Sequence, residues 1–339
     1  MKTSKSIALH ALFAAALSLV GMEVLRAQDI DPELPVSRRL CCCSVEIPAS
    51  ALSFLSIGEL APVATGTVAP DSTGATLIAD ENLSTYNSGH YVKISADGRV
   101  VCSIKILDAS GEGPTTLTLA SDLPSGLATG TTFEVVPCQT LEGALGANAF
   151  NLTENSIPAN ADQVLATVGG VIKRYHYTPG FPSFSPAQWQ EVGSTADAGG
   201  TPLDPNSGLA LNRIEGSAVG IEVYGIAKCK TQKLRIVPGL GFYSWPFVGD
   251  VTLDESGLQD VLIQDAIPAN ADQVLIESAG VIRRYHYTPG FPSFSPAQWQ
   301  EVGSDTDAGS TVIPKGRAFG VDKLGSSAVE LAVDDPLSF

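Results

Sequence analysis

The chain has 339 residues, a formal net charge of −16 and 44% hydrophobic residues. That much negative charge repels the phosphates of nucleic acid and anionic membrane surfaces, so neither is expected as a partner. The hydrophobic fraction excludes a disordered acidic tail, and 33 glycines with 22 prolines, scattered without a period, read as turns between short strands and exclude collagen-like structure.

At the amino terminus, Lys2 and Lys5 precede an apolar run over 7–20, and Leu25-Arg26-Ala27 offers a cleavage site. This is the pattern of a secretory signal peptide over residues 1–27. Gly21 and Glu23 break the run before it reaches the roughly 18 residues a spanning helix needs, so the mature chain is expected to be secreted, extracellular or periplasmic, with no membrane span. Removing the peptide leaves the chain more acidic still.

Beyond it the pattern is that of an all-β protein, built as antiparallel sandwich or barrel-like modules with an internal duplication. Residues 91–95, 99–107, 115–120 and 131–136 are rich in Val, Ile, Thr, Tyr and Phe and are separated by glycine turns, which is the spacing of a meander or sandwich. Residues 140–149 offer the best, and short, helical candidate. Residues 157–193 then recur almost unchanged as residues 267–303. The copies differ only at Ala166/Ile276, Thr167/Glu277, Val168/Ser278, Gly169/Ala279 and Lys173/Arg283. Val45-Glu46-Ile47-Pro48 with Phe54 is weakly echoed by Leu234-Arg235-Ile236-Val237-Pro238 with Phe242. The chain therefore divides into a module over 38–225, carrying a strand-rich insert near 87–138, and a second module over 226–339.

Within each copy, residues 162–167 and 171–177 predict a hairpin closed by Gly169-Gly170, written Ala279-Gly280 in the second. Alternation puts Val171, Lys173, Tyr175 and Tyr177 on one face of the second strand and Ile172, Arg174 and His176 on the other. The proline-rich segment 178–186 cannot pair as a central strand and is expected to wrap over a sheet, before a short strand carrying Trp189. The ADQV segment, the Tyr-rich strand, the Trp before a Gly turn and the signal peptide resemble a family of secreted, repeat-bearing proteins from verrucomicrobial bacteria. The resemblance implies a secreted β protein and no particular chemistry; Cys41-Cys42-Cys43 match no motif of that family, and their role stays open.

The residues that invite a binding function are Arg174, Tyr175, His176, Tyr177 and Trp189, repeated as Arg284, Tyr285, His286, Tyr287 and Trp299. With Phe181, Phe184, Phe291 and Phe294 they suggest two aromatic platforms for sugar rings, or else core packing, since large aromatics bury readily. A single histidine per copy without a second ligand at metal spacing is a poor metal site, so no metal or cofactor is expected. The acidic positions Asp71, Asp80 and Glu81, and Asp250, Asp254 and Asp260, match no EF-hand spacing. No nucleophile elbow, zinc-protease pair, phosphate loop or C-x-x-C pair occurs, so an enzyme is not favoured. Export makes disulfides expected among the six cysteines, with Cys102 to Cys138 the favoured pair. Three readings remain: a noncatalytic structural or surface protein, able to assemble with itself; a carbohydrate-binding protein taking cell-surface glycans on the aromatic clusters; and an extracellular hydrolase without a recognisable motif.

Overall fold

Short runs of β-branched and aromatic residues, cut by glycine and proline, fold almost entirely as antiparallel strands in the computed structural model. It describes residues 40–146, 152–181, 185–226, 228, 231–247, 249–291 and 295–334. The signal peptide expected over 1–27 lies outside the described residues, as do Phe184 and Phe294.

The chain order begins with β1 (Leu40–Ile47), β2 (Leu52–Ser56), β3 (Ala64–Thr67), β4 (Thr76–Ala79), β5 (His90–Ala96), β6 (Arg99–Ser110), β7 (Thr115–Leu119) and β8 (Thr132–Pro137). A short helix comes next, α1 (Leu141–Leu145), started by the Thr140 hydroxyl accepting the Gly143 N–H at 2.9 Å and stopped at Gly146, whose φ is 69°. The first repeat supplies β9 (Gln163–Val168), β10 (Val171–Thr178) and β11 (Gln188–Glu191), followed by β12 (Gly208–Asn212) and β13 (Val219–Ile226). Then come β14 (Gln232–Ile236), β15 (Gly239–Ser244) and β16 (Val251–Thr252), the second repeat's β17 (Gln273–Ser278), β18 (Val281–Thr288) and β19 (Gln298–Glu301), and finally β20 (Val312–Ile313), β21 (Ala318–Lys323) and β22 (Val329–Val333).

One design is used twice. The first five-stranded sheet has the order β11-β10-β9-β12-β2 and the second β19-β18-β17-β21-β15, while the ladder β1-β13 is matched by β14-β22. Registers correspond as well: Tyr177 lies opposite Trp189 and Tyr287 opposite Trp299, and Phe54 faces Ala210 as Phe242 faces Gly320. β13 continues through Ile226 and β14 starts at Gln232, so the two copies meet slightly beyond residue 225.

The sheets pack on each other about a local two-fold relation. Phe54 and Phe242 meet at its centre with ring centroids 5.3 Å apart, within an apolar cluster that includes Ala210, Leu275 and Ala318. Around them, Ser56 N–H donates to the Gly316 carbonyl at 3.0 Å and its hydroxyl to Arg317 at 2.7 Å; Ser244 does the same to Asn206 and Ser207, at 3.0 and 2.7 Å. Gly208 lies directly against Ala318, where any Cβ would collide.

The insert exists only in the first copy. It is a six-stranded sheet in the order β3-β8-β5-β6-β7-β4 whose ends meet through the Val68–Ala79 bridge and the Ala69 N–H to Ile78 carbonyl bond of 2.9 Å. The sheet thus curls into a small barrel filled by Leu77, Val92, Ile94, Ile106, Leu117, Phe133 and Val135. It starts at Ala64, ahead of residue 87, because β3 and β4, of four residues each, are too short to stand out in the sequence.

The favoured disulfide is not formed: Cys102 and Cys138 are free thiols. Cys102 lies opposite Ile94 on the barrel's inner face, whereas Cys138 packs with Tyr91 and Val136, which point the other way. With β5 between them, alternation of side chains puts the two sulfurs on opposite faces of one sheet.

Candidate functional site

The repeated block builds the interior of each module. Tyr175, Tyr177 and Trp189 sit in the first core with Val164, Leu209 and Leu211; Tyr285 and Trp299 sit in the second with Val274, Phe319 and Val321, and Tyr287 packs against its margin. Trp189 is 1% exposed and Trp299 0%. Each indole receives a tyrosine edge, Tyr177 at 5.5 Å and Tyr287 at 5.4 Å between centroids. No indole face is left for a sugar ring, so Tyr175, Trp189, Tyr285 and Trp299 are not a platform. Burial comes from the strand period, which turns residues 175 and 177 toward the core, and from β11 and β19, which carry each Trp onto the same face.

His176 and His286 are buried too, 2% exposed each, and burial holds both imidazoles below their ordinary value, partly offset by the backbone at Gln190 and Gln300. Of the predicted site residues Arg174 and Arg284 are exposed. The neighbouring cations are tied across the sheet, Lys173 to Glu191 at 3.0 Å and Arg283 to Glu301 at 2.8 Å. The two copies are not identical in detail. Trp189 Nε1 donates to the Gly146 carbonyl at 3.0 Å, while Trp299 Nε1 finds no acceptor among the described residues.

The aspartate of the ADQV segment is a structural pin that sequence reading missed. Asp162 accepts from Thr153 and Ile214 N–H, each at 2.9 Å, and from Arg213 Nε at 3.3 Å. Asp272 accepts from Ile263 and Leu324 N–H at 2.9 and 2.7 Å and from Lys323 Nζ at 3.2 Å. All four charged side chains are at most 3% exposed. The distant cations gave no local sequence signal.

A second charged group lies where the barrel joins the first module. Glu59 is held by Lys93 and, at 3.1 Å, by Lys228, whose ammonium also donates to Asn206 Oδ1 at 2.7 Å. Burial raises the Glu59 carboxyl, but the two ammonium groups outweigh it and leave the group below its ordinary value. Beside it, burial pushes the Cys138 thiol up to about 11, and the Cys102 thiol inside the barrel wall reaches about 12, so neither is an activated nucleophile. Glu59, Tyr91 and Cys138 line a water-sized cavity of about 30 Å³.

A larger opening, about 620 Å³, runs between the barrel and the β14-β22 ladder. Ser103 and Asp122 line it from the barrel, Asn206 from the loop before β12, and Lys233, Arg235 and Glu330 from the ladder. Among the described residues no group of three His, Cys, Asp or Glu side chains is placed to hold a metal ion, and no helix is long and apolar enough to cross a membrane. Comparison with protein-family models, with curated proteins and with solved structures finds no match, so the verrucomicrobial resemblance has no support beyond the residues that suggested it.

Proposed function

We propose that the protein is an exported, noncatalytic structural or surface protein whose duplicated β modules act as a rigid scaffold. The observation that supports this is the fate of the repeat's chemically versatile residues. Asp162, His176, Trp189 and their counterparts Asp272, His286 and Trp299 are buried at matching positions, the aspartates in internal hydrogen bonds and the histidines and tryptophans packed in the interior, away from a substrate.

Self-assembly is the favoured use of such a scaffold, because each copy also turns the same apolar residues outward. Phe181 and Phe291 are 66% and 67% exposed, and Ile157, Ile267, Val171 and Val281 are exposed with them. Val171 and Val281 lie at the hairpin turns, so Phe181 and Phe291, beyond the other ends of β10 and β18, are the equivalent apolar points at which two copies on one chain permit bivalent contact with further copies. Strand addition is a poor route. The outer edge of β11 is occupied by Ala198 N–H bonding the Trp189 carbonyl at 2.8 Å, and that of β19 by Ala308 bonding Trp299 at 2.8 Å.

Light scattering across a concentration series, with Phe181→Ser/Phe291→Ser as the comparison, tests the reading. Growth of assemblies in the native chain and its loss in the double variant is the expected result. A monomer at every concentration would remove assembly, and turnover in a broad hydrolase panel would remove the noncatalytic reading.

A further inference from the structure

The duplication accounts for the paired aspartates and histidines buried in the two modules, so the places where the copies differ are the informative ones. Two such differences meet at the 620 Å³ cleft. The first is the barrel, present in one copy only and fixed over the other by the Val100 N–H bond to the Thr231 carbonyl, 2.9 Å. The second is the charge on the ladder beneath it. Lys233, Arg235 and Glu330 on β14 and β22 stand where the β1-β13 ladder has Ser44, Glu46 and Gly220.

We propose that this cleft binds an acidic oligosaccharide, with a sugar carboxylate on Arg235 and hydroxyls on Asp122, Ser103 and Asn206. Lys233 is already bound to Glu330 at 2.9 Å. Arg235 and Asp122 are exposed on opposite walls with no salt bridge among the described residues, so each keeps its hydrogen-bonding capacity for a ligand. A guanidinium fork fits a carboxylate with two parallel bonds, and although Glu330 stands opposite Arg235 on the ladder, its carboxylate is taken by Lys233. The volume falls in the range of ligand sites, roughly 300–1,000 Å³, and exceeds what a single small acid fills. The remaining lining groups, a carboxylate, a hydroxyl and an amide, are the donors and acceptors that polyols require.

This binding site goes beyond the scaffold reading and does not depend on the aromatic clusters. The test is calorimetric titration of the full chain with tetragalacturonate, with cellotetraose as the neutral chain of equal length and citrate as the small anion. Tetragalacturonate should bind and weaken as salt is raised, with cellotetraose at least about tenfold weaker, the loss expected when one charged hydrogen-bonding partner is missing, and citrate weaker by a similar factor because it is too short to reach both Arg235 and the hydroxyl-binding wall. Arg235→Gln should weaken it by a similar factor and Arg235→Glu should abolish it, while Asp122→Ala has a smaller effect. Arg235 is exposed, so unchanged thermal melts are expected and confirm that the variants are folded. Absence of binding to the native chain, equal binding of cellotetraose or citrate, or binding unchanged in both Arg235 variants would each overturn the proposal. Hydrolysis of the bound chain would remove the noncatalytic reading and leave the cleft in place, so the two fail separately.

Discussion

Asp162 and Asp272 show how unequal two copies of one residue can be. Removing either leaves a buried cation, which costs about 3–5 kcal/mol when nothing else compensates it. Arg213 retains bonds to the carbonyls of Ser217 at 2.7 Å and Glu215 at 3.4 Å, whereas Lys323 has Asp272 as its one bonded partner among the described residues. We therefore expect Asp272→Ala to lower stability by the full amount and Asp162→Ala by less, measured by chemical denaturation; equal losses would contradict the assignment. The histidines give a second expectation. Burial lowers the imidazoles of His90, His176 and His286 in the folded chain, so the unfolded chain takes up protons first as pH falls below the ordinary value of 6.5. Stability should thus be full above that value and decline as pH falls toward the folded pKa values, with Glu59 adding its loss only below 4.5. The double replacement His176→Gln/His286→Gln should flatten the slope between about pH 7 and pH 5, and an unchanged slope would count against the burial argument.

At the scale of elements, the hairpin β9-β10 and its copy β17-β18 were legible in the sequence because alternation and the Gly-Gly signal agree. The turn uses positive φ at both central positions, 60° and 77° in the first copy. In the second copy Ala279 takes φ 51°, a conformation that costs a residue with a Cβ about 1 kcal/mol. Ala279→Gly should accordingly raise stability by up to that amount and Gly169→Ala should lower it, read from denaturation midpoints. The barrel was only partly legible. Its long strands β5 and β6 carry the β-branched signal, but β3 and β4 contain four residues each, and closure depends on the Val68–Ala79 bridge, which no local pattern announces. The Cys102–Cys138 pairing failed for the same reason. Nearness in a strand-rich segment does not say which face of the sheet each residue takes, and that is decided by register.

Across the whole molecule, the duplication could be read from two nearly identical segments, but its consequence could not. The local two-fold packing of one sheet on the other rests on Ser56, Phe54 and Gly208 against Gly316, Phe242 and Ala318, all of them outside the conspicuous repeat. The aromatic block is visible in the sequence and core packing is its favoured reading, because a Pro-rich segment is ordered only against something apolar; Trp189 and Trp299 are buried as that reading expects, whereas Phe181 and Phe291 stay exposed. A rigid scaffold requires the tryptophans to be interior. All three tryptophans, Trp189, Trp245 and Trp299, are at most 8% exposed. Acrylamide quenching of the native chain, with and without soluble polysaccharide, tests this most directly. Weak quenching, unaffected by polysaccharide and rising only on denaturation, is the predicted result; quenching near that of the denatured chain, relieved by polysaccharide, would contradict it.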